Sequence, residues 1–147
     1  MKNFTSDSQK IGELGEDVAC KFLIKHGFSI LERNYTKKWG EIDIIAQKGE
    51  KRFFIEVKSK QVESDFDFRL FDGQINETNR PAQTTIQSGR PEENMHPWKM
   101  KRLRRVVETY LISKRLGYVD WQFDLLVVYL NIEKRLAKVK VVENVIL

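Results

Sequence analysis

The chain has 147 residues, 41% of them hydrophobic and 32% charged, with one cysteine, two histidines and a net charge of +5. That composition supports one folded domain spanning 1–147 and disfavours disulfide frameworks, thiolate-rich zinc sites and histidine-based metal chemistry, so any metal is expected to sit on oxygen ligands. No stretch approaches the ~18–20 apolar residues of a membrane span, and the N-terminus lacks the hydrophobic run of a signal peptide, so a cytoplasmic protein without membrane contact is expected.

Residues Ser8 to His26 read as a helix: Ile11, Leu14, Val18, Phe22 and Leu23 recur at helical spacing, Asp7 or Ser8 can cap the start, and Gly27 can end it. Gly15 falls within that stripe and permits close approach of a neighbour, while Glu16 lies on its flank and can look into a site at the helix edge. Cys20 lies off the stripe, and His26 is expected to interact with the helix C-terminus. Three strand-like runs follow, Phe28 to Arg33, Glu41 to Gln47 and Arg52 to Ser59, the last two joined as an antiparallel hairpin through Lys48, Gly49, Glu50 and Lys51. A second helix is predicted from about Pro97 to Leu116, with Met100, Leu103, Val107, Tyr110 and Leu111 on one face. Strands Trp121 to Leu130 and Leu136 to Val142 complete the chain. The order predicts an α/β fold, a mixed β-sheet of about five strands flanked by helices. Between them, residues 61–96 read as a loop or insertion, with all three prolines among polar residues.

Charge is unevenly placed. From Gln61 to Trp98 seven acids face three bases, whereas from Lys99 to Arg115 seven bases face one acid, which puts the positive field on the second helix. Lys99, Lys101, Arg102 and Arg105 are candidate phosphate contacts, with a solvated helix face as the competing reading. Lys37 and Lys38 form a second basic point beside Trp39, whose ring can stack on a base or sugar, with a rim aromatic covering the sheet as the commoner outcome. The acidic segment could equally centre a protein interaction, or fold over the basic helix as an electrostatic lid.

Strand alternation groups the chemistry. Glu41, Asp43 and Ile45 are expected on one face of the first hairpin strand, with Ile42, Ile44 and Ala46 on the other, while Phe54, Glu56 and Lys58 share a face of the second. Carboxylates in runs this apolar are costly unless paired or metal-bound. Asp43 and Glu56 can converge on one hard cation, Mg²⁺ or Mn²⁺, with Glu16 as an auxiliary carboxylate, Lys58 orienting or deprotonating a water, and Glu41 in support. The competing reading is a cross-strand salt bridge of Asp43 or Glu56 with Lys58. Asp124, in an apolar strand, is read as a buried structural partner for a basic side chain.

Gly12, Gly15 and Glu16, then Arg33-Asn34-Tyr35, Gly40-Glu41-Ile42-Asp43-Ile44-Ile45-Ala46, Glu56-Val57-Lys58, Lys99 with Leu103, and Phe123-Asp124 resemble the YraN-type family of bacterial proteins. That family is similar to the restriction-endonuclease-like superfamily, with its Asp and (Asp/Glu)-x-Lys core, and to archaeal Holliday-junction resolvases. The resemblance covers nearly the whole chain outside Lys60 to Trp98. It implies a restriction-endonuclease-like fold and a Mg²⁺-dependent endonuclease acting on DNA, branched or structured DNA included, with Asp43, Glu56 and Lys58 in the core roles and Glu16 as the helix carboxylate. Two departures stand out: a longer segment after Lys60, and Gln122 where the family commonly has arginine. The alternative is a non-catalytic nucleic-acid-binding module on the same fold. A homodimer stays open, since cleaving two strands often takes two sites.

Overall fold

Helix α1 (Asp7–Lys25) is followed by strands β1 (Ser29–Lys37), β2 (Gly40–Lys48) and β3 (Lys51–Gln61), helix α2 (Pro97–Ser113), and strands β4 (Trp121–Asn131) and β5 (Leu136–Val142). This is a computed structural model that describes residues 7–63, 65–66 and 96–147. The loop or insertion expected at 61–96, and with it the acidic lid, therefore falls almost wholly outside the described residues. The strands form one five-stranded sheet in the order β1-β2-β3-β4-β5. All neighbours are antiparallel except β3 and β4, which run parallel and need a crossover; α2 lies in that connection. The architecture is the predicted α/β one, a mixed sheet flanked by two helices.

Alternate residues of β3 assign the two helices to opposite faces. Ile55 packs with Ala19, Cys20 and Leu23 of α1 and with Leu126 and Val128 of β4. Phe54 packs with Leu103, Val106, Val107 and Tyr110 of α2 and with Phe123. On the same face as α2, the segment after β3 lays Val62 and Phe66 over Leu125, Val127 and Tyr129. β4 is thus covered on both sides, which is why it reads as a continuous apolar run rather than an alternating one.

The docking of α1 differs from its apolar stripe in one respect. Leu14 is 41% exposed, whereas Gly15, Ala19 and Cys20 are buried. A Cβ built on Gly15 would collide with the Ser59 hydroxyl, so the helix reaches β3 through its smallest residues and turns Leu14 outward. Cys20 accordingly belongs to the core, where burial raises its thiol pKa. His26 behaves as expected at the helix end, its Nδ1 lying 2.8 Å from the Phe22 carbonyl.

The sequence alternation also breaks at one point in β2. Ile44 and Ala46 pack on the α1 side, but Ile42 packs on the α2 side with Tyr35. Opposite this step, between the paired residues Arg33↔Ile44 and Tyr35↔Ile42, Asn34 of β1 has a left-handed φ of 53°. A residue in that conformation interrupts the pleat, so the strands change faces across it. Asp43 stands at this step.

Candidate metal centre and its basic flank

The β2–β3 ladder is registered from Lys48↔Lys51 as far as Ile44↔Ile55. One residue further the strands part, and the Asp43 carboxylate takes over the ladder's role: its Oδ2 accepts the backbone N–H of Val57 at 2.8 Å. The interruption at Asn34 and Asp43 therefore does more than kink the strand. It turns a carboxylate into the fork between two strands, beside Glu56, which projects on the α2 side of β3.

Burial dominates the electrostatics there. It pushes the Asp43 carboxyl from an ordinary 3.8 up to about 7; the Val57 N–H opposes this, and the charges of Glu16, Glu56 and Glu41 add to it. Glu16 reaches the same point from α1. Its pKa is raised, chiefly by burial, against the Arg33 guanidinium 3.7 Å away and a hydrogen bond with Asp43. Arg33 is held in turn by Asp17 at 3.0 Å. Glu41 is exposed and contributes charge to the site from its rim.

Glu56 carries the closest contact. Its Oε1 accepts Lys99 Nζ from α2 at 2.6 Å, and Lys58 Nζ lies 3.6 Å from the same oxygen. Its other oxygen, Oε2, is buried and accepts no hydrogen bond among the described residues. Desolvation lowers the Lys58 pKa, with the Lys99 charge lowering it further against the pull of Glu56. Burial works against the Lys99 charge too, but the hydrogen bond and charge of Glu56 outweigh it and hold Lys99 above an ordinary lysine. Beside Lys58, a cleft of about 410 Å³ opens between the start of α1 and β3, lined by Ser8, Gly12, Ser59 and Gln61 among others.

The candidates named from sequence fall into two groups. Glu16, Asp43, Glu56 and Lys58 come together, and Lys99 joins them instead of lying free on the basic face. Lys99 is legible in the sequence as a base but its partner is not, because the contact spans 43 residues of chain. Lys101, Arg102 and Arg105 are exposed along α2, and Lys37 and Lys38 sit at the β1–β2 turn, Lys37 lying over the Tyr35 ring at 5.0 Å. Asp124 is the expected structural residue with a different partner: its Oδ1 accepts the Gln122 amide at 2.7 Å and the Asn144 N–H at 2.9 Å.

Carboxylate oxygens are the donor type that a hard divalent cation takes. Three half-buried carboxylates approach one fork, one oxygen is desolvated without a donor, and a lowered-pKa lysine stands next to it. Among the described residues, however, no group of three or more carboxylate, histidine or cysteine side chains is spaced to hold a metal ion. No described helix is long and apolar enough to cross a membrane.

Comparison with known proteins bears on family. The model of the uncharacterised protein family UPF0102 matches residues 15–128. The chain is similar to a UPF0102 protein of Moorella thermoacetica, 34% identical over 140 residues that cover 95% of this chain and 98% of that one. A UPF0102 protein of Dictyoglomus turgidum is 34% identical over 125 residues, 85% of this chain and 86% of its own. One from Campylobacter jejuni is 59% identical over 59 residues, 40% of this chain and 53% of that one.

Proposed function

This chain belongs to the UPF0102 family, the YraN-type family its motifs resemble, and we propose that it is a divalent-metal-dependent endonuclease hydrolysing phosphodiester bonds in DNA. The observation that carries this reading is the desolvated Glu56 Oε2 at the strand fork, next to the Asp43 and Glu16 carboxylates and the Lys58 ammonium. Asp43 and Glu56, with Glu16 from α1, are the residues that would hold Mg²⁺ or Mn²⁺. Such an ion, when bound, supplies Lewis-acid polarisation of a phosphoryl oxygen and of a water.

The chain's own residues do the rest. Val57 N–H fixes the orientation of the Asp43 carboxylate through its Oδ2. Burial lowers the Lys58 pKa: its ammonium form can orient a water, and its neutral amine, the form able to take a proton, is reached more easily than in an ordinary lysine. Lys99 neutralises Glu56 until a stronger cation competes for it. The exposed bases along α2 supply the contacts to flanking phosphates.

The test is cleavage of linear and branched DNA in Mg²⁺ or Mn²⁺ by wild type against Asp43→Asn and Glu56→Gln, each verified as folded. Cleavage lost in both variants supports the enzyme. A specific observation favours a second reading, a non-catalytic nucleic-acid-binding module: the Lys99 ammonium, 2.6 Å from Glu56, already provides the counter-charge an ion would bring. Folded wild type that binds DNA but neither binds metal nor cuts would establish that reading.

A further inference from the structure

Along α2, the arginines are put to two different uses. Arg104 is committed to the fold, its Nε 3.1 Å from Glu108 and an amino group 3.1 Å from the Leu147 carbonyl. Arg102 and Arg105 have no carboxylate partner among the described residues. Each instead lies over an indole: the Arg102 guanidinium carbon is 4.1 Å from the centroid of Trp98, and that of Arg105 is 4.1 Å from the centroid of Trp39. Three residues apart on one helix, they are neighbours. Trp39 reaches them because the β1–β2 turn packs on α2 at Gly40, where a Cβ would stand 3.1 Å from Val106 and 3.9 Å from the Arg102 Cβ. Lys37, over the ring of Tyr35, lies on the same side of the sheet, and Lys99 connects this face to the Glu56 carboxylate.

A guanidinium held against an indole is pre-oriented. It is planar and weakly hydrated, keeps its N–H edge for phosphate oxygens, and offers its outer plane for stacking. Both arginines are exposed, and Trp98 is 53% exposed. Charge complementarity calls for a polyanion, and exposed π surface is satisfied by unstacked bases, which a duplex does not present. We propose that the Trp98–Arg102 and Trp39–Arg105 pairs form a stacking platform for an unpaired DNA strand, delivering its backbone to the adjacent carboxylate fork. The assignment of that fork as the reacting site rests on the endonuclease reading above; the binding itself does not.

The test uses the full chain in EDTA, so that cleavage cannot intervene, with fluorescein-labelled DNA of about 12 nucleotides, single-stranded or as a blunt duplex, followed by anisotropy. Wild type should bind the single strand about tenfold more tightly than the duplex. Arg102→Lys/Arg105→Lys keeps the charge and removes the planes; it should weaken single-strand binding about tenfold and duplex binding clearly less. Trp98→Ala, at an exposed position, should weaken the single strand alone. Equal affinities in wild type, or equal losses on both substrates in the variants, would overturn the platform and leave only phosphate contacts. The same DNAs incubated with Mn²⁺ separate the two claims. Cleavage without strand preference rejects the platform and keeps the endonuclease, whereas strand preference without cleavage keeps the platform and rejects the endonuclease.

Discussion

Asp43→Asn should stabilise the protein at alkaline pH while abolishing metal binding. Asparagine can still accept the Val57 N–H through its carboxamide oxygen, so the strand fork survives and only the charge is lost. Burial lifts the wild-type carboxyl from 3.8 to about 7. Between those values the folded protein keeps a proton that the unfolded chain has released, so wild-type stability falls as pH rises through this window and levels off above about 7. At 1.36 kcal/mol per pH unit, the full rise gives an upper limit of about 4 kcal/mol, of which about 3 kcal/mol lies above pH 5. Urea denaturation in EDTA at about pH 5 and about pH 8 reads the difference directly: wild type should lose about 3 kcal/mol relative to the variant. Added Mn²⁺ should restore much of that loss to wild type at the higher pH and nothing to the variant. Parallel pH profiles for the two proteins would refute the reasoning, because they would mean that the carboxylate is not desolvated at the fork.

Other perturbations separate site from scaffold. Lys99→Met removes the ammonium that competes for Glu56 and should tighten Mn²⁺ binding several-fold by calorimetry; unchanged affinity would mean that Lys99 and the ion do not share the carboxylate. Gly15→Ala forces a Cβ into the Ser59 side chain and should cost about 1–3 kcal/mol in thermal or urea denaturation, recovered in part by Ser59→Gly. Asp124→Ala strips acceptors from the Gln122 amide and the Asn144 N–H at a site 5% exposed, and should cost about 1–3 kcal/mol without altering metal affinity.

Much of the fold was legible in the sequence because local signals and tertiary packing agree. The two helices lie within a few residues of their predicted ends, and β5 has the predicted bounds. β1 extends four residues past Arg33 because it pairs with β2 as far as Lys37↔Gly40, although this polar half carries no hydrophobic period from which a strand could be read. The change of faces between Ile42 and Ile44 was not legible. It depends on a left-handed Asn34 on the neighbouring strand, a conformation no alternation rule anticipates. Exposure of Leu14 and burial of Cys20 were missed for a related reason: Gly15 and Ala19 carry little hydrophobic weight but let α1 approach most closely. In the candidate site, the acid-x-Lys spacing of Glu56 and Lys58 and the flank position of Glu16 sufficed to group the carboxylates with the lysine. The pairings of Lys99 with Glu56 and of the two arginines with indoles arise from helix docking, and no local pattern encodes them.

The central claim is that the fork between β2 and β3 holds a divalent cation on the Asp43 and Glu56 carboxylates. Calorimetric titration of Mn²⁺ into wild type and into a folded Asp43→Asn/Glu56→Gln double variant, with and without DNA, tests it most directly. The account predicts wild-type binding that the double variant loses. Equal binding by both proteins, or no binding by wild type even with DNA present, would contradict it.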